Sequence, residues 1–417
     1  MRYASRILSM LLLIGLLVSA AMGAAPRADA TDAAIAKHRM GTIVVLTKPG
    51  AGVSVTQKSH EFQFGTAIAR TMFRDASGPE SKKYLEILKN NFNSAVCENA
   101  MKWCCTQRKA GPPNYSDADR MVAWCRANNL PLRGHCIFWA SPRYVQAWVK
   151  ALDDKQLLAA MKLRSERLLK RYRGKVGEWD VNNEMIHVRY YADRLGPEIR
   201  VKMFHWARKA DPKAILYVND YNIVSGRDGG KYVKHIEKLM AAGAPVGGIG
   251  VQGHFNRRIN IPHVRKTLDS LAKFKLPIKV TEFDINTSDE KAKAADLVAF
   301  YRTCFAHPSV EGILMWGFWE GRHWRPKAAL WKRDFSPTPA AKAYRKLIYE
   351  TWWTRWSRKA DKTGRCEVPA YFGRHVVKTA GKSFEVTLTR AKRKFELDTT
   401  GRATGSGKPL TEKLEAR

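Results

Sequence analysis

The sequence predicts a (β/α)8 barrel with small N- and C-terminal β extensions, on three observations. Eight short apolar runs succeed one another between Phe62 and Phe318. Amphipathic stretches separate most of them, and the runs end in carboxylates, amides and tryptophans. Strand and helix alternating in this way is the pattern of a parallel sheet closed by helical crossovers. An open doubly wound sheet is the competing arrangement, but no GxGxxG follows an early run.

The elements follow in order. Phe62–Ala67 (FQFGTA) and Asn93–Glu98 (NSAVCE) open the series. Between them, PESKKYLEILKNNF sets Tyr84, Leu85, Leu88 and Phe92 near one helical face. Ser116-Asp117-Ala118-Asp119 resembles a capping box ahead of MVAWC and leads to Leu132–Trp139 (LRGHCIFW). The amphipathic KQLLAAMKLRSERLLKRY precedes Glu178–Glu184 (EWDVNNE). Ile215–Asp220 (ILYVND) is followed by KYVKHIEKLMAAG, which closes on Gly243, and then by Gly248–Gly253 (GIGVQG). Ile278–Asp284 (IKVTEFD) and Gly312–Phe318 (GILMWGF) complete the eight. The barrel is thus expected over residues 62–355.

The flanks read differently. Residues 1–30 carry Arg2 and Arg6, an apolar block from Leu8 to Val18 and then small residues, with cleavage points after Ala20, Gly23 or Ala30. The block is short for a bilayer span of roughly 20 residues, so it predicts a signal peptide, export and no membrane span in the mature chain. Residues 31–61 contain two alternating runs around Pro49–Gly52 and are expected to form a β hairpin segment. Residues 356–398 contain HVVKTA, SFEVTLTR and RKFELDT, expected to be strands that pack with the N-terminal ones. The polar tail 399–417 is expected to be disordered.

A barrel of this kind carries its active site at the C-terminal ends of its strands. Those ends bear Glu98 and Asn99, His135 and Trp139, Asn183 and Glu184, Asn219, Gln252 and His254, Glu282 and Asp284, and Trp316. Any one of these carboxylates is as well explained by a buried ion pair; all of them together at strand ends are not. Two carboxyl groups facing across a cleft suit glycoside hydrolysis, one donating a proton to the leaving oxygen and the other attacking or activating water. A histidine held by Asp284 and donating to Glu282 favours the ionised form of Glu282, whereas Glu184 has no evident cation beside it in sequence. On these residues alone, the assignment of acid and nucleophile stays open. Trp103, Trp139, Trp316, Trp319 and Trp324 follow strand ends and offer flat apolar faces for sugar rings, while Trp124, Trp148 and Trp206 lie on helical stretches and read as core.

At this point the chain resembles glycoside hydrolase family 10, the endo-1,4-β-xylanases, from about Phe62 to Tyr349. The motifs, in order, are FGTA, FNSAVCENAMKW, LRGHCIFW, WDVNNE, LYVNDYN, GIGVQGH, VTEFDI and HPSVEGILMWGFWE. CENAMKW, RGHCIFW and WGFWEGRHW are most similar to the subgroup found in plants and some bacteria. The resemblance implies a secreted enzyme that cleaves internal β-1,4 bonds of xylan with retention of configuration, through a covalent glycosyl intermediate. It implies Glu184 as acid/base and Glu282 as nucleophile. It implies Asn183 at the sugar 2-hydroxyl, His254 and Asp284 tuning the nucleophile, and Gln252 and Asn219 at nearby polar positions. Glu98, Asn99, Lys102 and His135 then serve the sugars on the non-reducing side, and Trp139, Trp316 and Trp324 wall the cleft. The chain departs from the family pattern at Cys97 for Pro, Ala100 for Glu, Ala140 for a second His, and in the loop Trp319–Arg322. These departures bear on substrate preference rather than on the paired carboxylates. A related β-1,4-glycanase, a transglycosylase or a binding protein without catalysis is the alternative.

The formal charge of +35 attracts polyanions, and an acidic glucuronoxylan is one candidate partner. The cations are spread along the whole chain and no zinc-finger, helix-turn-helix or RNP signature is present, so nucleic acid is not an expected partner. The seven cysteines, five of them between 97 and 136, make one or two local disulfides plausible and lack the spacing of a zinc site. No metal or other cofactor is expected, and the chain reads as a monomer.

Overall fold

The structure is a computed structural model that describes residues 29–400 and the backbone of Lys408–Pro409. The leader expected over 1–30 falls almost wholly outside the described residues, as does most of the tail from 401. Helix α1 (Ala30–Arg39) comes first and is capped by Asp29, whose side chain accepts from the Thr31 amide at 3.1 Å. This stretch is helical, not part of the β segment expected from residue 31: AAIAKHR has helix-forming residues and no alternation. Strands β1 (Met40–Leu46) and β2 (Gly52–His60) follow, joined by the turn at Pro49–Gly50.

The barrel strands are β3 (Gln63–Ile68), β4 (Ser94–Cys97), β5 (Leu132–Gly134) with β6 (Phe138–Trp139), β7 (Glu178–Asn183), β8 (Ile215–Asp220), β9 (Gly248–Phe255), β10 (Ile278–Ile285) and β11 (Val310–Met315). All run parallel, and β11 pairs back onto β3 to close the circle. The outer ring is α2 (Pro79–Asn91), α3 (Ser116–Ala127), α4 (Asp154–Tyr172), α5 (Ile199–Ala210), α6 (Gly229–Ala241), α7 (Ile261–Ala272), α8 (Glu290–Ala306) and α9 (Pro339–Lys346).

Two expectations are corrected here. The run Leu132–Trp139 is not one strand: β5 and β6 are separate pieces, each paired to β7, with His135–Ile137 turning between them. The Ser116 capping box is not formed either. The helix cap is Tyr115, and Asp119 instead accepts from Arg171 and Tyr172 on α4. The capping box that does form is Asp153 with Gln156 at the start of α4.

Below the strand ends the barrel interior is charged. Lys279 on β10 donates to Glu178 on β7 and to Gln63 at 3.0 Å. Arg133 on β5 pairs with Asp180 at 2.5 Å and lies 4.1 Å from the centroid of Tyr217. All four charges are buried. Such a network is costly to break from one side, because the partner left behind is an unpaired buried charge. Gly134 lies against Trp179: a Cβ there would come within 2.1 Å of the indole ring.

After the barrel, β12 (Arg355–Lys359), β13 (Arg365–Tyr371), β14 (Gly373–Thr379), β15 (Lys382–Leu388), β16 (Lys394–Asp398) and the two-residue β17 (Lys408–Pro409) join β1 and β2. They make two sheets, ordered β13-β1-β16 and β12-β2-β14-β15-β17. Their inward residues, among them Ile43, Val45, Val55, Val368, Val377, Val386 and Leu397, form a core distinct from that of the barrel. Strand alternation explains it: Cys366, Val368 and Ala370 of β13 are buried while Glu367 and Pro369 are exposed. Lys408–Pro409 lies inside the tail expected to be disordered and pairs with Phe384 and Glu385. Arg39, at the end of α1, fastens this unit to the barrel. Its guanidinium donates to the carbonyls of Phe305, His307 and Val310, each at 2.6 Å.

Candidate active site

Glu184 directly follows the last residue of β7 and Glu282 lies on β10, three strands away around the barrel rim. Glu184 has a left-handed backbone, φ +62°, an uncommon conformation for a residue with a side chain. Its amide is fixed by the Asn219 carbonyl at 2.8 Å. One carboxyl oxygen accepts from Trp139 Nε1 at 2.8 Å. The other accepts from Asn183 Nδ2 and Gln252 Nε2, both at 3.1 Å. Burial pushes the Glu184 carboxyl above the ordinary range, and the charge of Glu282 pushes it further the same way. A carboxyl raised in this manner holds its proton longer, as a proton donor must.

Glu282 meets different neighbours. One oxygen accepts from Asn219 Nδ2 at 3.0 Å, and the other lies 3.3 Å from His254 Nε2. His254 Nδ1 is 2.9 Å from Asp284. Burial alone depresses the imidazole, but Asp284 and Glu282 outweigh it and raise it to about 9. The histidine is therefore a cation at neutral pH, wedged between two carboxylates. Burial likewise works against ionisation of Asp284, yet His254 and then His323 and Arg325 hold it below the usual range. Asp284 also accepts from Trp324 Nε1 at 2.8 Å.

Two amides connect the pair. Asn219 Nδ2 donates both to Glu282 and to Asn183 Oδ1, the latter at 2.9 Å, while Asn183 Nδ2 donates to Glu184. Thr281 fixes the orientation of Asn219 by donating to its Oδ1 at 2.6 Å. The cleft around them encloses about 580 Å³, a size suited to sugar rings.

On one side of the cleft lie Glu98, Asn99, Lys102 and His135. Lys102 Nζ donates to Asn99 at 3.0 Å and sits 4.8 Å from the Trp139 ring centroid. His135 Nδ1 is 2.8 Å from Asp180, which ties the floor of the cleft to the buried Arg133. Burial raises the Glu98 carboxyl. Trp316 packs edge-on against His135, and Trp324, 49% exposed, caps His254.

The structure brings together all fourteen of the residues singled out above except that Asn219 and Asp284 stand behind the cleft lining rather than in it. Trp103 and Trp319, expected near sugar, are core instead. Trp103 is 5% exposed and packs on Phe138 and Trp148, and Trp319 is 2% exposed and stacks on Phe335 at 4.6 Å. Sequence reasoning missed Tyr144, Tyr221, Asn222, Asn256 and Arg325, which also line the cleft. They lie beyond the strand ends in loops, and only the cluster Asp220-Tyr221-Asn222 hinted at them. Tyr144 stacks on Trp139 at 4.3 Å and extends that wall. All seven cysteines are free thiols, so the local disulfides expected between 97 and 136 are not formed. Cys97 on β4, Cys125 on α3 and Cys136 in the turn between β5 and β6 are all buried.

A sequence profile of glycosyl hydrolase family 10 matches residues 54–347. The chain belongs to this family. It is 39% identical over 343 residues to endo-1,4-beta-xylanase 1 of Arabidopsis thaliana, an alignment covering 81% of this chain and 35% of that one. It is 38% identical over 356 residues to an anti-sigma-I factor of Acetivibrio thermocellus, covering 84% and 46%. It thus spans a third to a half of the length of these two curated relatives. Among solved structures, xylanase 10B of Thermotoga petrophila, in complex with xylobiose, aligns with a TM-score of 0.64 at 28% identity, covering 70% of this chain and 95% of that one. Of the departures from the family 10 pattern, Cys97 and Ala140 are buried, Arg322 donates to Thr71 Oγ1 at 3.1 Å, and Ala100 lines a second cavity beside the cleft.

Proposed function

We propose that this chain is an endo-acting hydrolase that cleaves internal β-1,4-xylosidic bonds of xylan by double displacement with retention. The observation that carries the reading is the unlike treatment of two carboxyls joined by one amide bridge. Glu184 is raised by burial and by its neighbour's charge, while Glu282 faces an imidazolium. Glu184 then protonates the leaving oxygen and Glu282 attacks the anomeric carbon; after departure, Glu184 takes the proton of the incoming water. In this reading Asn183 binds the sugar 2-hydroxyl, and the hydrogen bond from Asn219 to Glu282 supports a role for Asn219 in orienting the nucleophile. The relatives named as xylanases support xylan as the substrate class, and the net charge supports acidic glucuronoxylan within it. The leader from Leu8 to Val18 supports export, which the N-terminal residue of the protein recovered outside the cell checks.

The test is release of reducing ends from glucuronoxylan, with glucan and mannan as controls, by the wild type and by Glu282→Ala. Xylan-selective activity lost in the variant is the expected result; equal action on all three, or activity surviving in Glu282→Ala, would sink it. NMR of the first-formed anomer then reads retention directly.

A further inference from the structure

We infer that the cavity beside the cleft, bounded by Arg70, Arg74, Arg108, Lys109 and Arg120, is a subsite for an acidic substituent carried by the polysaccharide, with a uronic acid carboxylate as its ligand. The inference rests on the xylan reading above and names the class of xylan.

The cavity encloses about 650 Å³, room for a sugar ring. Five cations line it against one carboxylate, Asp117. Asp117 takes Arg74 in a forked pair, Nε at 3.0 Å and Nη2 at 2.8 Å. It also takes Arg120 at 2.6 Å, with Arg70 at 3.8 Å. These hydrogen bonds, Arg74's first, hold its carboxyl down at about 2. One carboxylate cannot satisfy three guanidiniums, each with five N–H donors, and Arg108 and Lys109 add charge from the facing loop. A planar carboxylate is the ligand that this surplus of forked donors fits.

The position ties the cavity to catalysis. Residues 98–105 form a wall shared with the cleft: Glu98, Asn99 and Lys102 line the cleft, while Ala100 and Cys105 line the basic cavity. The field of Arg70 reaches Glu98 across that wall. Ala100 stands where the family resemblance expects a glutamate, so the wall lacks the carboxylate that would offset the arginines. Arg322, from the altered last loop, is pinned to Thr71 next to Arg70. One departure from the family pattern, Ala100, thus lines the basic pocket, on the side expected to hold the non-reducing sugars.

The test compares linear xylohexaose with the same oligosaccharide bearing one glucuronic acid, cleaved by the wild type and by Arg74→Gln/Arg120→Gln. Both side chains are about half exposed, so the variant should fold. The expected result is a roughly tenfold loss of kcat/KM on the acidic oligosaccharide, with the linear one unchanged. Methyl-esterifying the glucuronate should produce the same loss in the wild type. A second variant, Arg358→Gln/Lys359→Gln on the distant β unit, removes the same charge and should change neither substrate by as much. Equal effects on both substrates, or an equal effect from the distant pair, overturns the inference. If the wild type cleaves neither oligosaccharide, the hydrolase reading fails separately and the cavity is read by calorimetry. Tighter binding of the acidic oligosaccharide, lost in the Arg74/Arg120 variant, then upholds the subsite, and equal binding or none refutes it.

Discussion

Glu184 and Glu282 are chemically identical side chains, and their surroundings make them different. The difference predicts distinct failures. Glu184→Gln keeps the hydrogen bond from Trp139 but cannot give a proton, so it should cost roughly 10²–10⁴ in kcat on xylan. It should cost far less on an aryl glycoside whose leaving group needs no proton, and a steady-state comparison of the two substrates checks this. His254 gives a pH prediction. Its folded value, about 9, lies above the ordinary 6.5, so the stability it contributes is full below about pH 6.5 and is lost as pH rises through 9. Urea midpoints between pH 6 and 10 should fall in the wild type, and fall less in His254→Asn. At this scale the sequence was informative where chemistry sits on a strand end, since alternation fixes which side chains point into the mouth. It was silent on Tyr144, Asn256 and Arg325, whose loops have no period to read. It misjudged Trp103 and Trp319, because a tryptophan following a strand is equally suited to core packing and to sugar.

The eight strands were legible as elements because each is a short apolar run with a polar end, and because the helices between them carry one apolar face. The break between β5 and β6 was not, since LRGHCIFW reads as continuous apolar sequence while the chain turns at His135 to set its ring on the cleft floor. The same strand supplies a packing test. Gly134 leaves no room for a methyl group beside the fully buried Trp179, and the ring is too rigid to yield. Gly134→Ala should destabilise the barrel by roughly 1–3 kcal/mol, seen as a lower urea midpoint with an unchanged slope. A slope change would instead mean that the strand break itself had been remodelled.

Over the whole molecule, two properties matter: charge and closure. The formal charge of +35 should draw in an acidic polymer, so the low-substrate rate on glucuronoxylan should fall more steeply with added salt than the rate on neutral xylan. Identical salt slopes on the two would remove charge from the account of recognition. Closure concerns the β unit, whose strands the alternating runs at both ends announced, although the N-terminal pair was expected as a hairpin and is instead split between two sheets. β2 lies between β12 and β14, and β1 lies between β13 and β16, so the two do not form the hairpin expected from their sequence; among the described residues each pairs only with strands of the C-terminal segment. Deleting residues 355–417 would strip Ile43, Val45, Val53 and Val55 of their cover and should yield an insoluble chain or one of much lower Tm. A soluble, fully active truncation would show that the barrel stands alone. The interlock also sets a clock. About 295 residues separate the end of β2 at His60 from the start of β12 at Arg355. At a ribosomal pace of roughly 5–20 residues per second, the first two strands wait about 15–60 s, edges bare, for partners that have not yet been made.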